Sequence, residues 1–235
     1  MARILCIETS GLTCSAAICD DKGNVISDTI ISDTGEHAKL LTTAISNVAN
    51  NANTPISELS AIAVSCGPGS YTGLRIGVST AKGICYAQNL PLIAIPTLQI
   101  IATSIFEHQK DASIAVPMID ARRMEVYCAA YDRELTEIIP TQAKIIDENS
   151  FSDLRNKKNI HIAGSGAKKC LSTLGNNNIS FIDDILPQAK EMSKLAALKF
   201  ENKEFVDVAY YEPYYLKEYV AVVSKNKVLE QALKR

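Results

Sequence analysis

The sequence has no excess of charge of either sign. Its 24 Lys and Arg against 26 Asp and Glu leave a net charge of −2, whereas a chain that grips RNA unaided carries a basic face. It also lacks any apolar run near the roughly 20 residues of a membrane span, and its "MARILCIETS" start has no signal-peptide core. A soluble, cytoplasmic protein without a membrane partner is therefore expected. The seven Cys (Cys6, Cys14, Cys19, Cys66, Cys85, Cys128, Cys170) contain no CxxC pair and no zinc spacing. Their odd number argues against a disulfide framework, and most lie in apolar runs such as "ILCIET" and "AAICD", where a thiol behaves as a small buried hydrophobe. Eleven Gly and eight Pro are too few for a disordered or fibrous chain. What remains is globular: 47% of 235 residues are hydrophobic, enough for one large domain or two modest ones.

Catalytic constellations are scarce too. None of His37, His108 and His161 has a second His four residues away, so a helical His-x-x-x-His metal site is absent. His37, near a helix start, reads as a capping or surface residue, and the other two as structural. Among Ser10, Ser70 and Ser165, only Ser165 in "AGSGA" approaches the G-x-S-x-G nucleophile pattern, without an evident base. Asp120 is the best lone carboxylate. In "IDARRMEVY" it is followed by Arg122, Arg123 and Glu125; a metal-nucleotide ligand and a charged turn both fit, the turn being the commoner.

What is present is a repeated order of elements. Strands are predicted at 3–9, 13–20 and 24–32, a helix at 36–52, a buried strand at 59–66, a helix over 72–88, a strand at "PLIAIP" and a helix over 97–107. A second round follows, with strands at 112–120, 125–132 and 136–146, the last broken at Pro140. Then come a short helix at "SFSDLRN", a strand, glycine turn and helix in "NIHIAGSGAKKCLSTLG", and an amphipathic helix at 188–202. Alternating strands and helices imply an α/β architecture. We divide the chain into 1–103, 104–210 and a tail, 211–235, packing back on the body. The tail begins "YYEPYY", which is read as packing over the hinge between halves.

The most informative stretch is "SCGPGSYTGLRIGVSTAKG" (65–83). Walker A requires G-x-x-x-x-G-K-[ST]; here five residues separate Gly67 from Gly73, and Leu74 stands where Lys should be. The G-x-G-x-x-G dinucleotide pattern fails as well. Within the following helix Gly73, Gly77 and Ala81 recur every four residues, leaving one face bare at a cost of about 1 kcal/mol per Gly. Close approach of the chain's own sheet and close approach of a partner helix both explain such a face.

"ILCIETS", "GPGSYTGLRIGVSTAKGICYAQNLPLIAIPTL" (67–98), "MIDARRMEVYCAAY" (118–131) and "EPYYLK" (212–217) together resemble the TsaB family, accessory proteins of threonylcarbamoyladenosine formation in tRNA. The resemblance implies an actin, sugar-kinase and Hsp70-type (ASKHA) fold of two related α/β subdomains. It also implies a catalytic paralogue, TsaD, as partner, with the ATPase TsaE joining, tRNA held only through the complex, and a homodimer when the chain is alone. Docking would use the helices at about 36–51 and 72–88. The implied contact residues are His37, Leu41, Tyr71, Thr72, Gly73, Arg75, Ile76, Gly77, Thr80 and Ala81, and Gly77→Leu is expected to abolish docking in a folded monomer.

TsaD carries a helical His pair for metal, of which this chain retains only His37. Glu8-Thr9-Ser10-Gly11 replaces the Asp-x-Gly of actin-type phosphate loops, and Asp120 precedes Ala121-Arg122 rather than paired glycines. A non-catalytic pseudoenzyme without metal is the expectation. Any ATP or ADP would lie at the partner interface, and Ser10, Asp120, Gly164 and Gly166 are the candidates for cofactor contact. The competing readings are a stand-alone actin-like ATPase or small-molecule kinase and, last, a metallopeptidase.

Overall fold

In the computed structural model, residues 1–31, 37–154, 159–175 and 179–217 are described, with side chains of the first helix from Lys39 onward. Strands β1 (Arg3–Glu8), β2 (Cys14–Asp20) and β3 (Val25–Ile31) form an antiparallel meander. Helix α1 (His37–Asn51) leads to β4 (Ala61–Ser65), which pairs parallel to β1. Helix α2 (Tyr71–Gln88) then leads to β5 (Leu92–Ile95), parallel to β4, and the sheet order is β3-β2-β1-β4-β5. Central β1 is sealed on both faces, with Ile4, Leu5, Cys6 and Ile7 all 0% exposed. That explains a run without polar alternation.

Helix α3 (Thr97–His108) crosses to a second sheet made of β6 (Ile114–Asp120), β7 (Glu125–Tyr131), β8 (Glu137–Ile145), β9 (Ile160–Ala163) and β10 (Ile179–Phe181). Its order, β8-β7-β6-β9-β10, repeats the first: two antiparallel strands on one side of the central strand and two parallel ones on the other. The repeated layout of the sequence is thus a repeated topology of two α/β subdomains.

The helices are less equal. Leu41, Ala44, Ile45 and Val48 of α1, with Val78, Ala81 and Cys85 of α2, cover one face of the first sheet through Leu5, Ile7, Ile62 and Val64. In the second half the corresponding places hold, among the described residues, short pieces. They are a 3-10 turn at Ser152–Leu154, and a 3-10 turn at Lys168–Cys170 running into α4 (Leu171–Leu174). The remaining faces are covered crosswise. Leu98, Ile101, Ala102 and Ile105 of α3 pack on the second sheet. Helix α5 (Ser193–Glu201), entered through a 3-10 turn at Ala189–Met192, returns to the first with Leu195, Ala196 and Ala197.

Three local expectations change. β8 runs through Pro140 as an edge strand, where a missing N–H is tolerated, with a register irregularity opposite Cys128–Tyr131. β10, three residues long, carries too little pattern to be seen in advance. The helix expected over 188–202 begins as the 3-10 turn.

Candidate functional site

The glycine-rich loop leaves β4 through Gly67, whose φ of +110° is open to glycine. A Cβ there would meet the Tyr214 carbonyl oxygen at 2.5 Å. Ser70 caps α2: its Oγ accepts from the Gly73 N–H at 3.2 Å, and its carbonyl from the Leu74 N–H at 2.8 Å. The Ser70 N–H itself donates to the Ser10 carbonyl at 2.7 Å. Of the N–H groups at this helix N-terminus, where a phosphate could bind, Gly73's is held by the Ser70 cap, and the Ser70 N–H just before it ties the loop to the turn after β1.

The small face of α2 receives that same turn. A Cβ on Gly73 would lie 2.0 Å from the Thr9 carbonyl oxygen, and one on Gly77 2.3 Å from Thr9 Oγ1. Thr9 Oγ1 donates to the Gly73 carbonyl at 2.7 Å. Of the two explanations for the bare face, the approach of the chain's own backbone is the one realised. Gly73, Gly77 and Ala81 are buried inside the protein, as is Leu41 of α1 at 0% exposure. Those four pack within the chain, and Gly77→Leu would drive a side chain into Thr9. Thr72 and Arg75 are exposed, and Tyr71, Ile76 and Thr80 half-buried. His37 opens α1, but its side chain lies outside the described residues.

The end of β1 holds Glu8, which the sequence shows only as a departure from the Asp-x-Gly of a phosphate loop. Glu8 is 0% exposed; burial pushes its carboxyl up to about 7. Its Oε1 accepts the Ser10 N–H at 2.5 Å, while Oε2, Ser10 Oγ and Ser65 Oγ make no hydrogen bond of good geometry among the described residues, though the Ser10 and Ser65 hydroxyls lie close enough to restrain the rise. Ser10, a cofactor candidate, is thus sealed at 2% exposure. The only sign of Glu8's burial in the sequence is a carboxylate closing an all-apolar strand.

At the matching end of the second half, Gly164 (φ +104°) would place a Cβ 2.4 Å from the Met118 carbonyl oxygen. A Cβ on Gly166 would meet the Asp120 nitrogen at 2.9 Å. Both glycines serve close packing of the turn against β6. Asp120 pairs with Lys169 and accepts the Arg122 N–H at 2.8 Å, and its own N–H donates to Ser165 Oγ at 3.2 Å. Desolvation is more than offset by Lys169 and Arg122, so its carboxyl stays below the usual range. Asp120, Gly164 and Gly166 come together here; Ser10 lies with the first half's turn. Among the described residues no group of three or more His, Cys, Asp or Glu could hold a metal.

The aromatic tail touches both halves, Lys217 pairing with Glu125 of β7. It follows α2: Lys82 Nζ donates to the carbonyls of Ala209 and Tyr211, each at 3.0 Å, and the Tyr214 N–H to the Cys66 carbonyl at 2.7 Å. Arg75 Nε donates to Tyr215 Oη at 3.1 Å, its guanidinium 4.2 Å from the Tyr71 ring centroid. Tyr71 and Tyr215 stack at 4.8 Å. Between helix and tail runs an open groove of about 590 Å³ lined by Lys82, Gly83, Tyr86 and Asp207–Ala209. No helix among the described residues is long and apolar enough to cross a membrane.

The family described as "TsaD: tRNA N6-adenosine threonylcarbamoyltransferase" matches residues 24–235. The tRNA threonylcarbamoyladenosine biosynthesis protein TsaB of Escherichia coli (strain K12) is 29% identical over 225 residues, spanning 93% of this chain and 96% of that protein. The protein of the same name from Buchnera aphidicola subsp. Schizaphis graminum is 32% identical over 171 residues, 71% of this chain and 80% of its own. A Pseudomonas aeruginosa crystal structure, described as an uncharacterized protein with similarity to peptidase YEAZ, has a TM-score of 0.81 at 24% identity, covering 92% of this chain and 100% of that one. The ADPNP-bound activator of 2-hydroxyisocaproyl-CoA dehydratase from Clostridium difficile reaches 0.51 at 8% identity, over 87% and 98%. The last two speak for the fold alone, a two-subdomain α/β arrangement of the actin-like kind.

Proposed function

This chain belongs to the TsaB family of tRNA threonylcarbamoyladenosine biosynthesis proteins, and from that premise we propose that it is a non-catalytic activating subunit. In this reading it docks on a TsaD-like subunit, which transfers threonylcarbamoyl from its adenylate to tRNA, and a TsaE-like ATPase joins them. The observation that carries the non-catalytic part is the closure of the 67–73 loop. The Ser70 N–H is held by the Ser10 carbonyl and the Gly73 N–H by the Ser70 hydroxyl, and Thr9 packs against α2 where Gly73 and Gly77 leave room.

Docking in this reading uses the outward faces of α1 and α2, including Tyr71, Thr72, Arg75, Ile76 and Thr80, with Tyr215 of the tail buttressing Arg75. A surface shaped for a paralogue accepts a second copy of the chain as well, so the free protein is a homodimer. ATP or ADP belongs at the partner interface. The test is tRNA threonylcarbamoylation by the TsaD-like and TsaE-like proteins with an adenylate source, with and without this chain. Product should depend on the chain, and the chain alone should not turn over ATP. Equal product without it overturns the proposal; sustained ATP turnover by the chain alone favours an actin-like ATPase.

A further inference from the structure

Around the end of β6 the lysines are paired: Lys168 with Asp183 at 3.2 Å, Lys169 with Asp120, and Lys217 with Glu125. The two arginines among them are not. Arg122 and Arg123 are exposed, and neither guanidinium makes an ion pair or hydrogen bond among the described residues. Asp120, the nearest carboxylate in sequence, is already held by Lys169.

Their backbone is unusual as well. Arg122 has φ +75° and Arg123 φ +51°, two consecutive side-chain-bearing residues in the left-handed region where Gly or Asn would fit with less strain. The tight turn between β6 and β7 imposes this, closed by Ala121 N–H to the Glu125 carbonyl and Glu125 N–H to the Arg122 carbonyl, both 3.1 Å. The turn explains the conformation but not why arginine occupies it. The matching turn of the first half, Thr9–Leu12, carries no charge and is packed against α2 and Pro187.

We propose that the Arg122–Arg123 turn contacts the phosphate backbone of RNA. A guanidinium presents a planar fork that matches phosphate oxygens, and it gives up its hydration more readily than an ammonium does. The pair stands on an open turn rather than in a cavity, which suits a strand running past more than an enclosed nucleotide. Two arginines in a chain of net charge −2 cannot hold RNA by themselves; they add to a grip made elsewhere. The inference rests on the reading above in that the RNA is a tRNA held chiefly by the partner, to which it adds a direct contact from this subunit.

The test uses the assembled complex and full-length tRNA, with binding measured by fluorescence anisotropy across a range of salt. In Arg122→Asn/Arg123→Asn the left-handed backbone is kept or relaxed, so thermal stability and assembly by size exclusion should be unchanged. The slope of log K against log salt should fall by about 1.5–2, one counterion per lost phosphate contact, and affinity at low salt by about ten-fold. The double Lys variant, which keeps point charges, should recover most of the slope. An unchanged slope overturns the proposal. So does a variant that fails to assemble, which would make the turn a protein contact. If the wild-type proteins do not assemble at all, the preceding reading falls and this one, which rests on it, falls with it; an intact complex with an unchanged slope overturns this one alone.

Discussion

Two sheets of the same order end differently. The central strand of the first closes on Glu8, sealed and without a charged partner, its carboxyl pushed up to about 7 by burial. The central strand of the second closes on Asp120, 49% exposed, paired with Lys169 and held below the ordinary carboxylate range. Behind them Gly67 and Gly164 repeat the same positive φ after corresponding strands. The elements that follow do not repeat: 18 residues of α2 in one half, a 3-10 turn and the four residues of α4 in the other. The sheets keep the duplicated frame while the strand-end turns and helices diverge. The first half has closed its turn into packing beneath long helices, and the second has left its turn open and charged.

The sharpest way to break that contrast is to add atoms to the closed turn. Gly73→Ala sets a methyl against the Thr9 carbonyl, backbone that cannot swing aside. A loss of about 3 kcal/mol or more is expected in urea denaturation, and Gly77→Leu should not fold. Gly83, ten residues further along α2, has nothing within 4 Å of a Cβ; Gly83→Ala should be neutral or gain up to about 1 kcal/mol from helix propensity. Equal costs at Gly73 and Gly83 would mean that the turn does not pack as described.

That prediction decides between two explanations the spacing had left open, and shows what spacing carries. A run of small residues every four positions says that something comes close. It cannot say whether the visitor is Thr9, 64 residues away, or another molecule. The strands, the two-fold order of elements and the glycine turns were legible because each follows from local pattern: apolar runs, turn residues, helical period. Glu8 was not, because its character comes from what covers it, and sequence shows only an acid beside apolar residues. The path of Tyr211–Tyr215 along α2 was hidden for the same reason, being fixed by Lys82 and Arg75 from a distant segment. The unpaired state of Arg122 and Arg123 needed the positions of every nearby carboxylate.

A smaller effect separates the two acids by pH. Glu8 binds its proton more tightly folded than unfolded, so its contribution is fully present below the ordinary carboxyl pKa and is lost as pH rises through about 7. Glu8→Gln keeps the neutral shape and removes the titration. Between pH 5 and 8 the wild type should lose on the order of 2–3 kcal/mol relative to the variant, read as a falling difference in Tm. Glu191, likewise raised to about 7, titrates in both proteins and cancels. A constant difference across that range would show that Glu8 is not sealed.

Asp120 should give the opposite sign and the smallest size. Its proton is bound less tightly in the folded state, because Lys169 and the Arg122 N–H favour the carboxylate. The contribution is present at neutral pH and disappears as pH falls through and below the usual carboxylate range. With half of the side chain in water, the pair is worth under about 1 kcal/mol. Asp120→Asn should therefore lower Tm slightly at pH 7, the gap closing with acid and with added salt as screening shortens the reach of Lys169. A loss as large as at Gly73, or one that ignores salt, would place the second turn in the same packed class as the first. The charge around Arg122 and Arg123 would then be an incident of the fold rather than a surface kept open.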